Sequence, residues 1–329
     1  MTVCIASLCD NRQSVVLIAD RMVSTGLAIE FEHPVSNKVT TLSPNCVALT
    51  AGNALVYSEL FSVVRSRIFN RRSTTAEELV EIIKGAYQEL RERQIVERVL
   101  RPMAFSNFRE FYSTEAMLSD TAKISIINQI ERFDYGLDIL VGGITPGGPA
   151  HLYAIEDPGT SMCYDSIGFN VIGSGMNLAF SSLIANHCHE KMNLSDSLML
   201  ALEAKITAEN APGVGRKTDV VTITSEGAAF FTDNNVRRLI VLNTRRKNGD
   251  PAYKTEIPRM ITAILSDRSG IPTAEKATIM PEEQHDGNSG KQHGESTSDS
   301  ENTESDDTSG DQDRPSEEGA GGGNPPVSG

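Results

Sequence analysis

Short apolar runs broken by turn residues dominate the first fifty positions. Residues 2–8 and 14–19 are β-favouring and flank Cys9-Asp10-Asn11-Arg12, so the pattern predicts a hairpin. A third run, Cys46-Val47-Ala48-Leu49-Thr50, ends at Ala51-Gly52. There the period changes: Leu55, Leu60, Val63, Val64 and Ile68 recur at near-helical spacing over residues 53–70. Next comes a stretch in which Thr74 is placed to cap a helix and Glu77 to close a capping box. Its stripe of Leu79, Ile83, Ala86/Tyr87 and Leu90 marks one buried face. Strands followed by paired helices predict an α+β arrangement of sheet and helix layers, not a parallel doubly wound fold.

The stretch 100–134 is less regular. Phe105, Phe108, Phe111 and Tyr112 cluster there, and a short helix is expected at 124–130. This elaboration either lies over a site or packs its aromatics on neighbouring helices or another subunit. Strands are expected again at 137–141, 151–155, 161–164 and 170–172, and helices at 177–191 and 195–209. A strand, a glycine and a pair of helices thus occur twice, after Gly52 and after Gly175. Further strands are expected at 219–224, 228–232 and 238–242, and a short helix at 257–265. This gives a domain over 2–245, an extension over 246–280 and a tail over 281–329.

Charge sharpens the boundary of the tail. Of the net −14, the last 49 residues carry −11 (thirteen Asp and Glu against Lys291 and Arg314), leaving −3 for residues 1–280. So acidic and Gly/Ser-rich a tail cannot bury enough apolar surface to offset its ordering entropy, and it is expected to be disordered. The nearly neutral remainder argues against a nucleic-acid binder, which normally shows a basic face, and leaves only a local patch such as Arg245-Arg246-Lys247. Five scattered cysteines without a CxxC pair read as reduced thiols, and His187-Cys188-His189 points its side chains in different directions, so no metal site is expected. No secretory signal or membrane-length apolar run is visible, so a cytoplasmic setting is expected.

Chemistry enters through Thr2. Removal of Met1 would leave one residue carrying both a hydroxyl nucleophile and a titratable amine. The hydroxyl holds its proton tightly at neutral pH and needs a base, a positive field and an oxyanion donor. The amine is the base, Lys38 beside a carboxylate such as Asp20 supplies the field, and Gly52 at a strand-to-helix junction offers a backbone N–H. Read singly, Asp20-Arg21 is also compatible with a surface turn, Lys38 with a solvated loop and Gly52 with a purely conformational role.

Their order and spacing resemble the proteasome β-subunit family, including bacterial two-ring peptidases of the same fold. The resemblance rests on Thr2, Val15-Val16-Leu17-Ile18-Ala19-Asp20, Asn37-Lys38-Val39, Ala51-Gly52, Leu140-Val141-Gly142-Gly143, His151 to Gly159 and Gly173-Ser174-Gly175. It implies a four-layer αββα sandwich of the N-terminal-nucleophile hydrolase type. It also implies Thr2 as nucleophile, Asp20 and Lys38 as ion pair, Gly52 as oxyanion donor and Ser174 as partner of the amine. Val23, Ser24, Thr25 and Thr50 fall where the family binds substrate, and their neutrality suits an uncharged side chain. The family's late Asp and Ser are replaced: Asn210 stands for the Asp, and Gly213 for the Ser.

The function implied is a threonine endopeptidase of a self-compartmentalising ring. Its expected partners are a polypeptide substrate, further copies of the chain and an ATP-dependent unfoldase or other cap, with no cofactor, metal, nucleic acid or membrane. Two alternatives stay open: an N-terminal-nucleophile amidase acting on a small molecule, and an inactive ring scaffold.

Overall fold

The computed structural model describes residues 2–24, 30–35, 38–69 and 75–267. Thr25, Asn37, Thr74 and the whole acidic tail lie outside the described residues. The strands are β1 (Cys4–Cys9), β2 (Ser14–Asp20), β3 (Met22–Ser24), β4 (Glu30–Glu32), β5 (Val39–Ser43), β6 (Cys46–Gly52), β7 (Leu137–Ile144), β8 (Ala150–Glu156), β9 (Thr160–Cys163), β10 (Phe169–Ile172), β11 (Thr218–Thr224) and β12 (Gly227–Phe230). The helices are α1 (Ala54–Ile68), α2 (Ala76–Ile95), α3 (Phe108–Thr114), α4 (Asp120–Glu131), α5 (Met176–Ala185), α6 (Leu194–Ala208), α7 (Asp233–Lys247) and α8 (Tyr253–Ser266).

β1 and β2 are buried along their whole length, because both faces of their sheet are covered. One sheet runs β10-β1-β2-β11-β12 and the other β5-β6-β7-β8-β9, with all pairings antiparallel. Alternate residues of each strand point to opposite sides. Ile5, Val16, Ile18 and Val220 join Leu183, Leu198, Leu202, Leu239 and Ile257 of α5–α8. Cys4, Leu8, Val15 and Leu17 turn the other way and meet Val47, Leu49, Leu140 and Leu152 of the second sheet. That sheet's remaining face, with Ala48, Ile139 and Val141, packs on Leu60 and Val64 of α1 and Leu79, Ile83 and Tyr87 of α2. The sheets approach closely at Gly142, where a Cβ would lie 2.9 Å from Val15 Cγ1.

Three expectations need correction. The strand expected at 238–242 is part of α7. Its branched residues suit a strand, but the Thr232 side chain caps a helix by accepting from the Asn235 N–H. Burial of Val236, Leu239, Leu242 and Asn243, with Ile240 and Val241 exposed, follows a helical face. The helix expected to reach 191 stops at Ala185, where His187 takes a positive φ of 52° and the Cys188 N–H turns back to the Leu183 carbonyl. The α2 cap stands one residue later than expected, at Thr75, which accepts from the Glu78 N–H while Glu78 accepts from the Thr75 N–H.

The elaboration forms α3 and α4 around a small core of its own. Val99 and Leu100, just beyond α2, pack with Phe111 and Ile126, and Phe105 meets Phe111 edge-on at 5.4 Å. The short strands β3 and β4, which pair at Val23↔Phe31, were not anticipated.

Thr75→Ala, which removes the hydroxyl that accepts from the Glu78 N–H, is expected to cost about 1 kcal/mol. A shift of the denaturant midpoint at unchanged slope checks it.

Candidate active site

The ends of β2 and β6 and the loop after β10 bring separated residues to one place. β1 pairs with β2 at Cys4↔Ala19, so Val3 and Asp20 face each other one step beyond the ladder. The Val3 N–H donates to Asp20 Oδ1 at 2.9 Å, and the Asp20 N–H to the Val3 carbonyl at 3.2 Å. Lys38 Nζ donates to the same Oδ1 at 2.7 Å. On the other oxygen, Oδ2 accepts from the Met22 N–H at 3.0 Å and the Gly215 N–H at 2.9 Å. Asp20 is 0 % exposed and Lys38 is buried beside it, so neither a surface turn nor a solvated loop describes them. A buried carboxylate persists as an anion when it is paired and its lone pairs are filled, and four donors do that here.

Thr2 is buried against this pair. Its N–H donates to Ser174 Oγ at 3.0 Å, and its carbonyl accepts from Ser174 Oγ at 3.3 Å and from the Gly175 N–H at 3.0 Å. The Gly173-Ser174-Gly175 turn thus holds the first described residue at both backbone groups. Thr2 lines a pocket with Lys38, Thr50 and Gly52, walled by Met22, Val23, Ala54, Tyr57 and Leu137. Thr50 fixes the wall by donating its N–H to the Lys38 carbonyl at 3.0 Å. In an antiparallel ladder the N–H two residues on points to the same side. The N–H of Gly52, an exposed residue that lines the pocket, therefore lies on the β5 side of its strand. Gly52 has φ +120°, and a Cβ there would stand 2.1 Å from the Gly136 carbonyl oxygen, so only glycine fits.

The expected site residues fall into three groups. Thr2, Asp20, Lys38, Gly52, Ser174, Val23 and Thr50 are brought together. Ser24 ends β3, and Thr25 lies outside the described residues. Asn210 does not join the group: it is exposed and its amide donates to the Thr207 carbonyl at 2.9 Å, closing the end of α6. The contact to Asp20 from this segment is made five residues later by a backbone N–H, that of Gly215, which no side-chain pattern announces. Met22, Ala54, Tyr57 and Leu137 were also missed as pocket walls; the apolar run into α1 was the only available signal.

Arg21, next to Asp20, turns away from the pocket and is likewise buried. Its Nε donates to Asp219 Oδ1 and its Nη2 to Asp233 Oδ1, each at 2.7 Å, which ties the end of β2 to β11 and to the first turn of α7. Cys4 donates its Sγ–H to the Thr50 carbonyl at 3.4 Å, and burial drives its thiol far above the ordinary range, so it is no competing nucleophile. Among the described residues no group of three His, Cys, Asp or Glu side chains is placed to hold a metal ion.

Asp138 stands opposite Ala51 on β7. Burial, then the charges of Glu156, Asp134 and Asp157, push its carboxyl up to about 6. The folded state thus keeps a proton that the unfolded chain loses, and stability falls as pH rises from about 4 to about 6. Asp138→Asn is expected to flatten that slope and to gain about 1–2 kcal/mol at neutral pH, after allowing for solvent screening. Denaturation at pH 4, 5, 6 and 7 reads it. Gly52→Ala is expected to lose about 2–5 kcal/mol from strain and collision with the Gly136 backbone, measured in the same way.

The comparison with curated proteins returned no match. The model of the family described as "Proteasome subunit" matches residues 93–223, a span that includes β7, β8, β10, α5, α6, Ser174 and Gly215 but not Thr2, Asp20, Lys38 or Gly52. That match lies on the two-sheet frame described above, and over this span the chain is similar to the proteasome subunit family.

Proposed function

We propose that the protein is a threonine-type endopeptidase of a self-compartmentalising ring assembly, with the four-layer αββα architecture of N-terminal-nucleophile hydrolases and Thr2 as its nucleophile. The similarity to the proteasome subunit family over residues 93–223 supports a peptidase of the proteasome type. The observation that carries the finer reading is that Thr2, Lys38 and Gly52 line one pocket, with Asp20 paired to Lys38 and Ser174 bonded to the Thr2 nitrogen.

Cleavage of the Met1–Thr2 bond would turn the Thr2 peptide nitrogen, 3.0 Å from Ser174 Oγ, into an amine. That amine accepts the hydroxyl proton, directly or through a water, as Oγ1 attacks the substrate carbonyl. The Lys38 ammonium, held by Asp20, favours the neutral amine and the developing alkoxide. The tetrahedral oxyanion forms at the Gly52 N–H, and its collapse expels the leaving amine with the proton taken earlier. Water then attacks the ester on Thr2 by the same route and releases the acid. Val23, Ala54, Tyr57 and Leu137 give the pocket neutral walls, which favour an uncharged side chain before the cut. No metal or organic cofactor has a step in this sequence.

The fixed backbone of Thr2 also suits an amidase acting on a small molecule, and an unfolded polypeptide substrate separates the two. Thr2→Ala should leave the native assembly size unchanged and reduce digestion of an unfolded protein by at least about a thousandfold. Activity surviving in that variant would place the nucleophile elsewhere. A wild-type monomer or dimer inert toward polypeptides would contradict the endopeptidase.

A further inference from the structure

Lys205 has no part in the chemistry above, yet it is 0 % exposed. It lies in the last turn of α6, where Nζ donates to Glu209 Oε1 at 2.6 Å and to the Arg216 carbonyl at 2.9 Å. An ammonium taken out of water costs several kcal/mol unless it is paired and hydrogen-bonded. Burial accordingly lowers its pKa, against the opposing pull of Glu209 and, more weakly, of Asp20 and Glu32. A lysine in such a place would be replaced at little loss by an apolar residue if it served packing alone.

What it grips explains its position. The Arg216 carbonyl belongs to the turn whose Gly215 N–H fills Asp20 Oδ2. Glu32 on β4 holds the same turn from its other groups, accepting from the N–H of Arg216 and, at 2.8 Å, of Lys217. α6 therefore clamps the turn by its carbonyl and β4 by its amides. Asn210, the side chain expected to act from this segment, is occupied at the end of α6.

We propose that Lys205 is a positioning residue for Asp20. By holding the Arg216 carbonyl it keeps the Gly215 N–H on Oδ2, and Oδ1 stays available to the Val3 N–H and Lys38. The proposal rests on the peptidase reading for its kinetic consequence but not for its structural one.

The test uses the full chain in its native assembly, with Lys205→Met as an uncharged side chain of similar length. Its kcat should fall about tenfold while KM stays within about twofold, since the substrate pocket is untouched. Amide hydrogen exchange should rise over residues 213–217 and stay unchanged in β1 and α5. In Glu209→Gln the ammonium keeps a hydrogen-bond acceptor but loses its nearest charge, so it deprotonates at lower pH. The charges still facing it are Asp20 and Glu32. The alkaline fall of kcat should accordingly begin at lower pH than in the wild type. Wild-type kcat and unaltered exchange in Lys205→Met would overturn the proposal, as would an increase in exchange spread over the whole domain. If Lys205→Met does not assemble, Glu209→Gln decides, and an unmoved alkaline limb with unchanged exchange at 213–217 overturns it. If the wild type itself cleaves no polypeptide, the peptidase reading fails, and the exchange measurement still decides the positioning.

Discussion

The site depends on one buried carboxylate. Asp20 sits where β2 leaves its sheet and receives two donors on each oxygen: the Val3 N–H and Lys38 on Oδ1, the Met22 and Gly215 N–H groups on Oδ2. Hydrogen bonds to a charged group are each worth about 1.5–3 kcal/mol, and removing any one leaves part of a desolvated charge unmet. Asp20 therefore fixes the start of the chain, the lysine entering β5, the exit of β2 and the turn before β11 relative to one another. Residues separated by up to 195 positions meet within one side chain's reach.

The surrounding fold makes that meeting rigid. β1 and β2 lie inside their sheet with helices on one face and the second sheet on the other, so neither can slide without exposing Val15, Leu17, Val16 or Ile18. The Gly173–Gly175 turn holds the Thr2 backbone, and the ladder from β6 to β7 places Thr50, Gly52 and Leu137 along the pocket. At Gly52 the backbone φ and the Gly136 carbonyl leave no space for a side chain, which fixes glycine at the junction. Chemistry and packing thus converge on the same strand ends.

Much of this was legible in the sequence. The hairpin of β1 and β2, the break at Ala51-Gly52 and the helices after it follow from period and turn residues, because each is decided locally. The strand expected at 238–242 failed for the opposite reason. Arg238 to Leu242 has strand composition, and a cap six residues upstream, together with the apolar face of the first sheet, makes it a helix. Asp20, Lys38 and Gly52 were readable as an ordered set although each alone is unremarkable. Asn210 was misassigned because a side chain was sought where the structure uses the backbone of Gly215, and a backbone donor leaves no mark in a sequence. Lys205 was invisible too: a lysine on an amphipathic helix reads as solvated until the turn that covers it is known.

The central claim is that Thr2, once it begins the chain, is the residue that attacks. Intact mass measurement of the assembled protein before and after a threonine-directed boronate or epoxyketone tests it most directly. The expected result is a chain lacking Met1 that gains one inhibitor mass, mapped to Thr2. A folded assembly that retains Met1, or that takes up no inhibitor, would contradict the account.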